Sequence, residues 1–109
     1  MNPYTNLTEG KEIIREFSAD VDPMSLIWHE DQEDRTIKVI EGNGWKFQFD
    51  EELPFELKEN TTFNIPRGYL HRVIKGNGKL TIKIIKNEYS RVIWTNWSLV
   101  RNVQVRTWR

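Results

Sequence analysis

The stretch Thr36-Ile37-Lys38-Val39-Ile40-Glu41-Gly42-Asn43-Gly44-Trp45-Lys46-Phe47-Gln48-Phe49 decides the fold class. Ile37 and Val39 flank Lys38, and Trp45, Phe47 and Phe49 alternate with Lys46 and Gln48. Side chains on a strand point to opposite faces with a period of two, so each half reads as a strand with one apolar and one solvated face. Glu41-Gly42-Asn43-Gly44 has turn chemistry, and the two strands are expected to close as a hairpin. Outward from this centre the alternation returns in Phe55-Glu56-Leu57, Phe63-Asn64-Ile65, Arg72-Val73-Ile74 and Leu80-Thr81-Ile82-Lys83-Ile84. Turn signals at Glu59-Asn60, Pro66-Arg67-Gly68 and Lys75-Gly76-Asn77-Gly78 separate these runs. Strands spaced by roughly 8 to 12 residues have the rhythm of an all-β sandwich or barrel. Upstream, Glu12–Phe17 is compatible with a strand or one helical turn; strands are expected both there and, beyond Asp22-Pro23, at residues 24–28. Downstream, residues 91–94 and 102–106 also read as strands.

At 109 residues and 13.1 kDa the chain is expected to form one domain, residues 1–109, with the barrel at about 17–85 between an N-terminal tail and a Trp-rich C-terminal extension. Sixteen Lys and Arg balance sixteen Asp and Glu. No global positive field then exists to hold nucleic acid or anionic lipid, and neither is expected as a partner. The absence of cysteine excludes disulfide scaffolds, Cys-ligated zinc, iron–sulfur clusters and thiol catalysis, so any metal must be held by nitrogen and oxygen. The polar opening MNPYTNLTEGKEII has no signal-peptide core, and no run approaches the ~20 apolar residues of a membrane span. A cytoplasmic protein is the expectation. Trp94, Trp97 and Trp108 crowd the last sixteen residues, an apolar load that predicts a homodimer.

Only two histidines occur, His29 and His71. His29-Glu30-Asp31 puts imidazole and carboxylate at i and i+2, on one face of an extended segment. His71 follows the Pro66-Arg67-Gly68 turn, which can return a strand beside the first and aim the second imidazole at the same interior. Two neutral imidazoles and one carboxylate with open positions suit Fe(II) and accept Mn, Ni or Zn. Hydrogen-bonded histidines in a metal-free barrel, with Asp31 paired to Arg35, are the alternative.

These residues resemble the cupins, small double-stranded β-helix or jelly-roll barrels. His29-x-Asp31-x3-Arg35-x6-Gly42 follows the first cupin motif, with Asp31 in place of its second His and Arg35 in place of its Glu. Asn60-x5-Pro66-x-Gly68-x2-His71 follows the second motif, with Pro, Gly and His in register. The stretches from Leu26 to Arg35 and from Ile65 to Gly76 are similar to a group of small single-domain cupins without established activities. His29, Asp31 and His71 also resemble the His-x-Asp…His triad of Fe(II), 2-oxoglutarate-dependent oxygenases, which are much longer chains.

The resemblance implies a divalent-metal site of His29, Asp31 and His71 (Fe, Mn, Ni or Zn) open to a pocket for a small-molecule ligand. Arg35 cannot coordinate a cation, because its guanidinium stays protonated and has no lone pair; it is expected to clamp an anion. Trp45 and Phe47 are expected as pocket wall, and Glu33 as an additional carboxylate if its loop folds inward. The implied function is a metal-dependent dioxygenase or isomerase acting on a small anionic metabolite. The competing function is a non-enzymatic small-ligand or sugar-binding barrel.

Overall fold

The alternating runs form eight strands in the computed structural model, which describes residues 2–87. They are β1 (Tyr4–Asn6), β2 (Glu12–Phe17), β3 (Asp34–Asn43), β4 (Lys46–Phe49), β5 (Phe55–Glu56), β6 (Thr62–Ile65), β7 (His71–Ile74) and β8 (Asn77–Asn87). A five-stranded sheet runs β1-β2-β8-β3-β6 and a three-stranded sheet β5-β4-β7, with every neighbouring pair antiparallel. The described residues contain no α-helix, and so none long and apolar enough to cross a membrane. This two-sheet arrangement is the all-β architecture expected from the rhythm of the strands, and it is consistent with the jelly-roll that the cupin resemblance implies. β1 and all of β2 but its last residue, Phe17, lie ahead of residue 17, so the sheets take in a segment expected as a tail.

Register follows the apolar faces. Ile13 pairs with Ile84, Ile84 with Ile37, and Ile37 with Phe63, giving one continuous apolar row across β2, β8, β3 and β6. Phe17, Leu80, Ile82 and Val39 extend that face, and Trp45, Phe47 and Leu57 close the core opposite them. Burying Trp45, Leu57, Leu80, Ile84 and Val39 almost completely contributes about 2 kcal/mol each.

The expected hairpin between Ile40 and Trp45 does not form. β3 pairs with β6 and β8, whereas β4 pairs with β5 and β7 in the other sheet. β3 runs on through Glu41, Gly42 and Asn43 with irregular register, and the chain changes sheets at Gly44, whose φ of +77° favours glycine. Two apolar faces in one hairpin would lie side by side; in opposite sheets, Ile37 and Val39 face Trp45 and Phe47 across a shared core. Gly76 permits this corner, since a Cβ there would fall 2.3 Å from the Trp45 amide nitrogen.

Residues 24–28 are not the expected strand either. Asp22 Oδ1 accepts a 3.0 Å bond from the Met24 amide and caps a single 3-10 turn, Pro23–Ser25, with proline pre-set at its first position. Met24 and Ile27 are exposed, so their apolar character marks no buried face. The expected strands at 91–94 and 102–106, and Trp94, Trp97 and Trp108, lie outside the described residues.

Candidate metal centre

Pro66 and Gly68 build the turn that delivers His71. The Tyr69 amide donates to the Pro66 carbonyl at 3.2 Å, and Gly68 takes a φ of +81°. The chain then enters β7 beside residue 29, and His29 and His71 exchange two backbone hydrogen bonds of 2.9 Å as an isolated antiparallel bridge. Across 42 residues of sequence, the two imidazoles come to lie with ring centroids 4.3 Å apart. Asp31 joins them: one donor atom from each of His29, Asp31 and His71 lies within 4.8 Å of the other two. His29 is exposed, Asp31 half-buried and His71 buried, so the cluster sits where the barrel interior meets solvent.

The orientation of each ring is determined from behind. His71 Nδ1 lies 2.8 Å from the Tyr69 carbonyl, and His29 Nδ1 lies 3.3 Å from the Ile27 carbonyl. A carbonyl only accepts, so both rings carry their proton on Nδ1 and turn the Nε2 lone pair the other way. Phe47 stacks on the buried imidazole, its ring 5.2 Å from His71 and inclined by 18°. Burial pushes the His71 pKa below the ordinary imidazole value and His29 adds to this, against the Tyr69 hydrogen bond and the charge of Asp31. His71 is therefore held neutral, the form a metal requires.

Asp31 Oδ2 is buried and has no hydrogen-bond partner among the described residues. It lies 3.4 Å from His71 Nε2, the nitrogen left without a proton, so two lone pairs face each other across that gap. A cation coordinated by both would relieve the repulsion and satisfy the orphaned oxygen. The residues present thus fit a divalent ion, with His29, Asp31 and His71 as its holders.

The remaining expected site residues are placed as follows. Arg35 reaches Asp31 Oδ1 from NH1 at 3.4 Å and donates from Nε to Glu33 Oε2 at 2.7 Å. Glu33 lies outside the three-residue donor cluster and answers the charge of Arg35 instead. Phe47 lines a cavity of about 310 Å³ that also includes His29, Asp31, Arg35 and His71. Trp45 is fully buried, donates from Nε1 to the Gly78 carbonyl at 3.2 Å, and is not part of the cavity wall.

A charged cavity residue escapes the sequence reading. Arg15 lines the same cavity and stands between Ile13 and Phe17 on the buried face of β2. The signal is a charge at an apolar phase position in Ile13-x-Arg15-x-Phe17, and it stands out only once Ile13 and Phe17 are seen to share the buried face of β2.

No protein-family model matches the chain, and no curated protein does. Solved structures do. A cupin domain from Bordetella pertussis Tohama I matches at 16% identity, over 76% of this chain and 90% of that one, with a TM-score of 0.54. A cupin-2 domain containing protein from Shewanella frigidimarina matches at 20% identity, over 73% and 76%, with a TM-score of 0.53. Hydroxypropylphosphonic acid epoxidase from S. wedmorenis, in complex with fosfomycin, matches at 18% identity and a TM-score of 0.56 over 76% of this chain and 49% of that one. FeII HppE matches at 14% identity and a TM-score of 0.58, over 76% and 48%. The chain thus spans about half the length of the last two. Identities this low bear on fold alone, and with the antiparallel two-sheet architecture they show that this chain has the fold of small cupin domains.

Proposed function

We propose that the chain is a metal-binding cupin, a dioxygenase or isomerase acting on a small anionic metabolite, with His29, Asp31 and His71 holding a divalent Fe, Mn, Ni or Zn ion. The observation that carries this reading is the buried Asp31 Oδ2, without a hydrogen-bond partner and 3.4 Å from the unprotonated nitrogen of His71. A neighbour of like fold was crystallised with FeII and with CoII, which supports the choice of ion. A bound divalent ion supplies Lewis-acid or redox chemistry at a substrate oxygen. The protein's part is orientation. Tyr69 and Ile27 carbonyls aim the two rings, Arg35 holds Asp31, Glu33 balances Arg35, and Phe47 fixes the plane of His71.

A second reading, a non-enzymatic small-ligand or sugar-binding barrel, is favoured by the Asp31–Arg35 ion pair, which already answers the carboxylate charge. Metal analysis of untagged protein and titration with Co(II) decide between them. Metal at about one equivalent per chain, lost in His71→Ala, supports the first reading; no metal and no Co(II) binding by the wild-type chain overturn it.

A further inference from the structure

The inward face of β2 holds a cation where its neighbours are apolar. Ile13 and Phe17 are buried on either side of Arg15, and across the sheet Arg15 pairs with Ile82. Two contacts hold the guanidinium. Nε donates to Asn6 Oδ1 at 2.8 Å, and the guanidinium carbon sits 3.7 Å from the centre of the Tyr4 ring. Among the described residues no carboxylate pairs with Arg15, and its two terminal nitrogens make no hydrogen bond. Burial lowers its pKa and the nearby Arg35 adds to this, against the charges of Tyr4, Asp31 and Glu9, and a guanidinium remains charged at any physiological pH. A half-buried charge with no carboxylate in direct contact is costly, and Arg15 belongs to the wall of the cavity that holds the His29, Asp31 and His71 donors.

Arg35, the other cation of this wall, is engaged by Glu33 and Asp31. The rest of the wall is mostly apolar, with Leu26, Ile65, Phe63 and Val73 among its members. A ligand matching this distribution has an oxyanion at one end and a short hydrocarbon body. We propose that Arg15 is the oxyanion anchor of the cavity, taking the carboxylate or phosphonate of a short aliphatic acid whose other end reaches the metal centre. The inference deepens the function proposed above and rests on it for the role of the far end alone. Pre-orientation by Asn6 and Tyr4 leaves the planar fork ready for a bidentate contact, with little side-chain entropy still to lose. With a divalent ion in place, the charges of the ion, Asp31, Glu33, Arg35 and Arg15 sum to a positive site, which favours an anion.

The experiment uses the full chain, metal-free and loaded with Co(II), titrated with butyrate, n-propylphosphonate and neutral butyramide and followed by calorimetry and by the arginine ε N–H signals in NMR. At least one acid should bind metal-free wild type about tenfold or more tighter than butyramide and shift the Arg15 ε signal. Arg15→Gln should lose that preference while its Co(II) affinity stays within about twofold of wild type. Equal binding of acid and amide by wild type, or an acid affinity unchanged in Arg15→Gln, overturns the proposal. If Arg15→Gln does not fold, Arg15→Lys and the wild-type ε signal decide: an unmoved signal at saturating acid overturns it, and a saturable shift with the acid alone supports it. Should wild type bind acid through Arg15 but no Co(II), the anchor stands and the metal reading fails.

Discussion

His71 joins the fold to the chemistry, because the features that bury it also keep it neutral. Its pKa lies below the ordinary imidazole value of about 6.5, mainly through burial. Below about pH 6.5 the unfolded chain takes up a proton that folded His71 refuses, so the stabilisation is complete above that pH and lost as pH falls. Thermal melts of the metal-free protein should show Tm dropping between about pH 7.5 and pH 5.5, and dropping less in His71→Gln. Equal drops in both would show that His71 does not carry the effect. Behind it, Glu33 acts on Asp31 through Arg35 at 2.7 Å and 3.4 Å. In Glu33→Gln the guanidinium loses its ionic partner and draws harder on Asp31, so Co(II) affinity should fall by about 10- to 100-fold with stoichiometry unchanged. A loss of stoichiometric binding would instead make Glu33 a ligand.

At the level of elements, the corner between β3 and β4 carries the largest steric constraint. A Cβ on Gly76 would meet the Trp45 nitrogen at 2.3 Å and the Gly44 carbonyl carbon at 2.4 Å, both backbone atoms that cannot swing aside. Gly76→Ala should therefore cost about 2–3 kcal/mol in urea unfolding, as overpacking does. Gly78→Ala meets nothing within 4 Å and is strained only by a φ of +67°, so about 1–2 kcal/mol is expected there. An equal or smaller cost for Gly76→Ala would place the sheet switch elsewhere. Period-two alternation makes β3 and β4 visible, yet it does not distinguish a hairpin from a sheet switch, since both bury the same faces of Ile37, Val39, Trp45 and Phe47.

For the whole molecule, the five-stranded sheet ends at β1 and β6, each with one edge unpaired among the described strands. An unpaired edge invites a further strand, and the chain carries three tryptophans beyond residue 87. The expectation of a homodimer rests on these two facts. Light scattering of the full chain should give twice 13.1 kDa. A persistent monomer at high concentration would remove the dimer from consideration and leave the site unaffected, because His29, Asp31, His71 and Arg15 all come from one chain.

What the sequence by itself determined is local and periodic. Alternation marks β3, β4, β5, β6, β7 and β8, and the Pro66-x-Gly68-x2-His71 spacing against His29-x-Asp31 points to a shared interior, because turn chemistry and strand parity act over a few residues. What only the tertiary structure decided is which faces meet. The separation of β3 from β4 into two sheets, the turn at Pro23–Ser25, the retreat of Trp45 into the core and the meeting of Arg15 with His29, Asp31 and His71 in one cavity depend on packing across the sandwich, between residues far apart in the chain. Periodicity encodes that a face is buried; the partner that buries it is selected by the volume and charge of the assembled core.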